Sequence, residues 1–121
     1  MQATKPAEFI HMSYITANTI KDGKIAILIS VDNYSRYCFG MAVELSLSFD
    51  MLVKHISEIL KEVNKKHPKV KPKFVMAYGK EHLEALEKRY NGKATFLFNP
   101  VLADEIAMPA AKELLAHISR R

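Results

Sequence analysis

The chain has 121 residues, of which 49% are hydrophobic and 26% are charged, a composition that excludes a disordered chain and predicts one globular domain over residues 1–121. Its 18 Lys and Arg residues against 13 Asp and Glu residues give a net charge of +5, which is compatible with a polyanionic partner. The longest apolar run, residues 25–29, is too short to cross a membrane, and the first residues lack the pattern of a signal peptide. With a single cysteine, which has no intrachain partner for a disulfide, we expect a soluble cytoplasmic protein.

Three strand patterns come first and are separated by turn sequences. They cover residues 8–16, 24–31 and 36–45. Asp22-Gly23 provides the positive φ that a tight hairpin needs, so the first two strands are predicted to be antiparallel. Apolar residues occupy both faces of the second strand, which predicts that other layers cover the sheet on both sides. Gly40 indicates a bulge or a close backbone approach in the third strand, and Cys38 is expected in the core.

Helical and strand patterns alternate in the rest of the chain. The helical patterns cover residues 49–63, 80–90 and 103–119, and the strand patterns cover residues 74–77 and 95–98. Ser48 is a suitable N-cap for the first helix, with Asp50 in its first turn. Pro109 is expected to restart the last helix rather than to lie inside it. The order βββαβαβα predicts an α/β domain with a five-stranded mixed sheet, in which three antiparallel strands are extended by two parallel ones and helices cover both faces.

The hairpin sequence VDNYSRYCFGMAV resembles the (V/I)-D-x-x-S-R-x-x-x-G hairpin of retroviral-type integrase and transposase catalytic cores. Asp32, Ser35, Arg36 and Gly40 stand at the spacing of that family. The segments EFIHMSYIT and FVMAYGKEHLEALEKRY follow the family more loosely, so the resemblance covers most of the chain. The resemblance implies a ribonuclease H-like fold for the predicted sheet and helices, and a role in DNA integration or DNA recombination.

Active members of this family hold two divalent metal ions on three carboxylates. The resemblance places the first acid at Tyr14 and the second at Ala77, where neither side chain can replace a carboxylate. The third position falls on Glu113 by its place on the helix, or on Ala116 by counting from Pro109. Glu113 is therefore the only surviving catalytic candidate, and we expect an inactive domain with no metal site and no cofactor.

Other side chains that could carry chemistry have plainer interpretations. The five histidines do not pair at a spacing of three or four residues, so they do not indicate a zinc site. Cys38 is interpreted as a core residue rather than a nucleophile. Tyr14 and Tyr78 either fill the pocket that the missing acids leave or form a stacking pair for bases.

The segment KKHPKVKPK, residues 65–73, carries five lysines and two prolines. The lysines are Lys65, Lys66, Lys69, Lys71 and Lys73. Because the prolines disfavour a helix, we expect a flexible cationic loop that neutralises phosphates without reading base sequence. An ordinary solvated loop is the alternative. Arg120 and Arg121 add positive charge at the end of the sequence.

The leading hypothesis is a degenerate integrase or transposase core that has lost catalysis but retains nucleic-acid binding, with DNA as the partner, or self-associates as a homodimer. One alternative is an active, metal-dependent DNA strand transferase or nuclease with a shifted acidic site, which would require Mg²⁺. Such a site could include Asp32 with Asp22 or Asp50, although Asp32 is interpreted here as a turn-capping residue. The other alternative is a protein-interaction module that kept only the fold.

Overall fold

The predicted βββαβαβα order is present in the computed structural model, which describes residues 2–21, 23–45 and 48–118. The strands are β1 (Phe9–Thr19), β2 (Gly23–Asp32), β3 (Cys38–Glu44), β4 (Lys73–Met76) and β5 (Thr95–Phe98). The helices are α1 (Phe49–Lys66), α2 (Leu83–Arg89), which follows a 3₁₀ turn at Lys80–His82, and α3 (Pro100–Ile118). The elements match the predicted ones, although β1 continues to Thr19 and α1 continues to Lys66.

The five strands form one mixed sheet in the order β3-β2-β1-β4-β5. β1 and β2 pair antiparallel, as do β2 and β3, whereas β4 pairs parallel with both β1 and β5. The predicted α/β class and the five-stranded mixed sheet are therefore confirmed, and the arrangement is consistent with a ribonuclease H-like fold. β1 lies at the centre of the sheet, so its side chains face both helical layers.

Helices cover both faces of the sheet, as predicted. On one face, apolar residues of α1 and α2 such as Leu52 and Leu86 pack with Met12 and Leu28 of the central strands. On the other face, α3 packs on β1, β2 and β4. Residues 25–31 of β2 are all buried, because one set of alternating side chains faces α1 and the other faces α3. Burial of this apolar surface on both sides is the main source of the domain's stability.

The β2–β3 pairing contains the predicted bulge. Ser30 pairs with Gly40 while the next residue, Val31, pairs with Cys38, so β3 has one extra residue at Phe39. The prediction that Cys38 is a core residue is wrong, because Cys38 is exposed. β3 is an edge strand, and α3 packs mainly on β1, β2 and β4, so this end of β3 lacks the double cover that protects the central strands.

Helix α1 begins as the sequence predicts, whereas α3 begins at Pro100, three residues before its predicted start. Ser48 Oγ accepts a hydrogen bond from Met51 N at 3.1 Å, which makes Ser48 the N-cap of α1. α3 is continuous across Pro109, so the prediction of a restart there is wrong. Pro109 is exposed while Ala107 and Ala111 on either side of it are buried. Packing of these alanines on the sheet therefore holds the helix together through the proline, which by itself would disfavour an unbroken helix.

Candidate nucleic-acid interface

The two strand positions where the family carries acids lie on neighbouring parallel strands, but they hold Tyr14 and Ala77. β1 and β4 run parallel with Met12 opposite Met76, and Ala77 N donates to Met12 O at 3.0 Å. Tyr14 therefore comes next to Tyr78, and their ring centroids are 5.2 Å apart with planes tilted by 49°. The topology thus brings together the two strand positions that the resemblance implies for an active site, but neither position holds a carboxylate.

The Tyr14–Tyr78 pair is part of the core rather than an open cleft. Both rings are half-buried and pack against the cluster under α1 and α2. The Tyr78 hydroxyl donates to Met12 Sδ at 3.6 Å. Burial, and to a lesser extent the neighbouring Tyr14, raises the pKa of Tyr78 above its ordinary value of 10.0. A neutral phenol does not supply the negative charge that a carboxylate gives to bound Mg²⁺, and the two rings pack against each other where the strands meet.

The third acid position does not complete a metal site in the described part of the chain. Glu113 is exposed on α3, and Ala116, the alternative position, is exposed as well. Among residues 2–21, 23–45 and 48–118, no three His, Cys, Asp or Glu side chains lie close enough to hold a metal ion. Glu113 therefore stays a candidate by position only.

Asp32 has the contacts of a turn-capping residue. Its Oδ1 accepts from Ala7 N at 3.1 Å and from Tyr34 N at 3.3 Å. Its Oδ2 accepts from Ser35 Oγ at 2.7 Å and from Ser35 N at 3.4 Å. The carboxylate is buried and both of its oxygens are occupied, so it fixes the hairpin turn and ties the N-terminal segment to it. Asp22, one of its two suggested metal partners, lies outside the described residues.

Two histidines are buried, His11 on β1 and His55 on α1. His11 Nδ1 donates to Leu102 O at 2.7 Å, and its Nε2 accepts from Asn33 Nδ2 at 2.8 Å. His55 Nε2 and Ser30 Oγ are hydrogen bonded at 2.8 Å. Burial lowers the pKa of His11, and it lowers the pKa of His55 from 6.5 to about 4. Both side chains are neutral near pH 7 and serve the fold.

The predicted cationic loop is shorter than expected. Lys65 and Lys66 are the last residues of α1, and Lys73 is the first residue of β4. The loop proper is residues 67–72, which we call the connector. The prediction of a flexible loop over all of residues 65–73 is therefore wrong at both ends, because the helix continues past residue 63 and strand pairing fixes Lys73.

The five predicted lysines differ in their surroundings. Lys66 Nζ forms an ion pair with Glu62 Oε1 at 2.9 Å and lies 5.2 Å from the centroid of the Tyr37 ring. The hydrogen bond to Glu62 and the charge of Glu62 raise the pKa of Lys66. Lys65, Lys69 and Lys71 are exposed and form no ion pair with any described residue, and Lys73 is half-buried. Positive charge is therefore concentrated on three of the five.

Lysines from three segments line one cavity beside the connector. Lys61 of α1, Lys71 of the connector and Lys93 of the loop before β5 surround a space of about 330 Å³, together with Asn64. Its apolar wall includes leucine, valine and proline side chains, namely Leu60, Val63, Val70, Pro68 and Pro72. None of the three lysines forms an ion pair with a residue of the described segments. We call Lys61, Lys65, Lys69, Lys71 and Lys93 together the basic surface.

Sequence reasoning missed two members of the basic surface. Lys61 stands one helical turn before Lys65, so extending the α1 pattern by four residues would have indicated it. Lys93 has no local signal, because only the packing of the loop after α2 against α1 brings it to Lys61 and Lys71.

A second cavity, of about 310 Å³, is lined by His67 at the start of the connector. Its aromatic wall is formed by Tyr37 and Phe39, and its other lining residues are Pro6, Asp32, Ser35, Lys66 and His67. The two rings are 5.4 Å apart and nearly perpendicular, at 87°. We call this space the aromatic cavity.

Comparisons with known proteins do not assign the chain to a family. A scan against protein-family models and a search of curated proteins found no match. In the described segments, no helix combines the length and apolar character needed to span a membrane.

Proposed function

We propose that the domain is a catalytically inactive relative of integrase and transposase cores that binds DNA through the basic surface. The resemblance of the hairpin around Asp32, Ser35 and Arg36 supports the relationship. So does the strand order, which places Tyr14 beside the end of β4, where two acids of an active enzyme would meet. A phenol at Tyr14 and a methyl group at Ala77, in place of two carboxylates, support a loss of two-metal chemistry.

The observation that carries DNA binding is the convergence of Lys61, Lys71 and Lys93 on one cavity without an acidic partner among the described residues. Like charges repel, so such a group is destabilising unless an anion lies between its members. Phosphate groups of a nucleic-acid backbone supply that anion repeatedly along one chain. Lys65 and Lys69 extend the positive charge beyond the cavity.

The binding should be weak and largely independent of base sequence. Lysine is a point charge that contacts phosphates, whereas base edges are read by side chains such as Arg, Asn and Gln placed in the major groove. The basic surface contains lysines only. DNA of any sequence should therefore bind with similar affinity.

The test compares two double variants that remove the same charge. Lys61→Ala with Lys93→Ala removes two cavity lysines, and Lys21→Ala with Lys24→Ala removes two exposed lysines at the turn between β1 and β2. That turn lies at the other end of β1 from Phe9, which pairs with Lys73, so it is roughly 30 Å from the connector. Fluorescence anisotropy of labelled DNA at low ionic strength measures the affinity.

We expect the cavity variant to bind DNA more weakly by about 2- to 30-fold, which corresponds to two exposed ion pairs of about 0.2–1 kcal/mol each. The control variant should bind within about twofold of the parent. Equal weakening by both variants would contradict the assigned surface, since only net charge would then matter. Absence of binding by the parent at low ionic strength would contradict the proposed function itself.

A further inference from the structure

The aromatic cavity offers a surface for a flat, uncharged group next to the basic surface. Tyr37 is 50% exposed although its ring is held on several sides. Phe39 packs edge-on with the Tyr37 ring. The Tyr37 hydroxyl donates to Glu62 Oε1 at 3.3 Å, and Lys66 Nζ lies over the Tyr37 ring. A ring fixed in this way can accept a stacking partner without losing further side-chain entropy.

The two cavities share the connector. His67, its first residue, lines the aromatic cavity. Pro68, Val70, Lys71 and Pro72 line the cavity that also contains Lys61 and Lys93, which we call the lysine cavity. Of these two cavities, only the aromatic cavity is lined by aromatic rings. Only the lysine cavity is lined by several lysines that form no ion pair with a residue of the described segments. Consecutive residues, His67 and Pro68, thus line a cavity suited to stacking and a cavity suited to phosphate.

We propose that the domain binds single-stranded DNA, with one unpaired base in the aromatic cavity against Tyr37 and the backbone phosphates on the basic surface. The inference rests on the proposed function, and it specifies single-stranded DNA as the ligand. A single strand carries unpaired bases next to phosphates, and the connector places one aromatic cavity next to one group of lysines. A duplex keeps its bases stacked and paired, so it can engage the lysines but not the aromatic cavity.

The test uses three ligands of equal length, roughly 12 nucleotides. They are oligothymidine, an oligomer with the same phosphates but abasic sugars, and a duplex. We expect the intact domain to bind oligothymidine more tightly than the abasic oligomer by about 5- to 150-fold, the range for stacking of one base on an aromatic side chain. The duplex should bind more weakly than oligothymidine.

Three variants assign the preference to the cavity. Tyr37→Leu should abolish the advantage of oligothymidine over the abasic oligomer, because it removes the ring. Tyr37→Phe should retain that advantage, because it removes only the hydroxyl that donates to Glu62. Tyr34→Leu is the matched control, since Tyr34 is 54% exposed in the same hairpin but does not line the aromatic cavity, and it should bind like the parent.

Chemical shifts of the parent provide a second measurement that does not depend on the folding of any variant. Addition of oligothymidine should shift the ring signals of Tyr37 and Phe39, and addition of the abasic oligomer should not. Equal binding of all three ligands, with unmoved ring signals, would overturn the base-binding cavity while leaving DNA binding by the basic surface intact. A fourth ligand, an RNA oligouridine of the same length, tests the choice of DNA. Tighter binding of oligouridine than of oligothymidine would overturn the assignment to DNA. Failure of all ligands to bind would contradict the proposed function.

Discussion

His55 is a titratable side chain buried in an apolar layer, where it is hydrogen bonded to Ser30. His55 is 2% exposed, and its hydrogen bond to Ser30 is the polar contact that its Nε2 makes. Burial lowers its pKa to about 4, because the imidazolium cannot be solvated there. An unfolded chain offers the same histidine to water, where its pKa is 6.5. Folding therefore opposes protonation of His55.

This linkage predicts loss of stability in mild acid. Because the folded-state pKa is depressed, the contribution of His55 is fully present above about pH 6.5 and is lost as the pH falls toward 4. Loss of this contribution between pH 7 and pH 5 should decrease the free energy of unfolding by about 2 kcal/mol. The lowered pKa of His11 adds to the effect in the same direction.

Urea unfolding of the parent and of His55→Gln at both pH values measures this contribution. The variant should be less stable at pH 7, where a buried group has been replaced, but it should lose about 2 kcal/mol less than the parent on going to pH 5. Identical losses in the two proteins would show that His55 is accessible to protons in the folded state.

Helices α1 and α3 cover opposite faces of the sheet, and one residue reports on each layer. Leu52 of α1 is 1% exposed in the cluster with Met12 and Leu28. Ile29 of β2 is 3% exposed and packs with residues of α3, including Ala107. We expect Leu52→Ala and Ile29→Ala each to decrease the free energy of unfolding by about 2–5 kcal/mol, since each leaves a cavity in a packed interface.

The matched control is Val101→Ala, which shortens an aliphatic side chain that is 78% exposed on α3. It should change the free energy of unfolding by less than about 0.5 kcal/mol. Chemical denaturation of the three variants gives the comparison. If Ile29→Ala were as mild as Val101→Ala, α3 would not be packed on the sheet.

Local pattern accounts for most of the elements, and its failures have a common cause. β-branched runs with turn residues between them predict the hairpins, and the apolar period of α1 predicts that helix from its Ser48 cap. The errors fall where tertiary position overrides local preference. Pro109 stays helical because its neighbours pack on the sheet, and Cys38 is exposed because its strand lies at the sheet edge.

The same limit applies to the basic surface at the scale of the whole molecule. Lys71 belongs to a visible charge run, so the connector could be found from sequence. Lys93 and Lys61 lie 32 residues apart, and no local pattern links them before the chain folds. The pairing of Tyr14 with Tyr78 was predictable only through the resemblance, which aligned both strands to one family site.

The proposed relationship to integrase cores makes a prediction about catalysis by the intact domain. With Mg²⁺ or Mn²⁺ it should neither nick nor join DNA, because Tyr14 and Ala77 stand where two of three carboxylates are required. Supercoiled plasmid and labelled oligonucleotides incubated with each metal provide the assay. Metal-dependent cleavage that disappears in Glu113→Ala would contradict this account and favour the active alternative.

The most direct test of the central claim is the salt dependence of DNA binding. Each lysine that neutralises a phosphate releases condensed counterion, which gives a slope of log affinity against log salt of about −0.9 per contact on duplex DNA and about −0.7 on a single strand. Replacing Lys65, Lys69 and Lys71 with alanine should weaken binding to all sequences alike and make the slope shallower by about 2–3. Lys66→Ala alone should change it little, because Lys66 is paired with Glu62. A triple variant with the affinity and the slope of the parent would contradict the assignment of the basic surface.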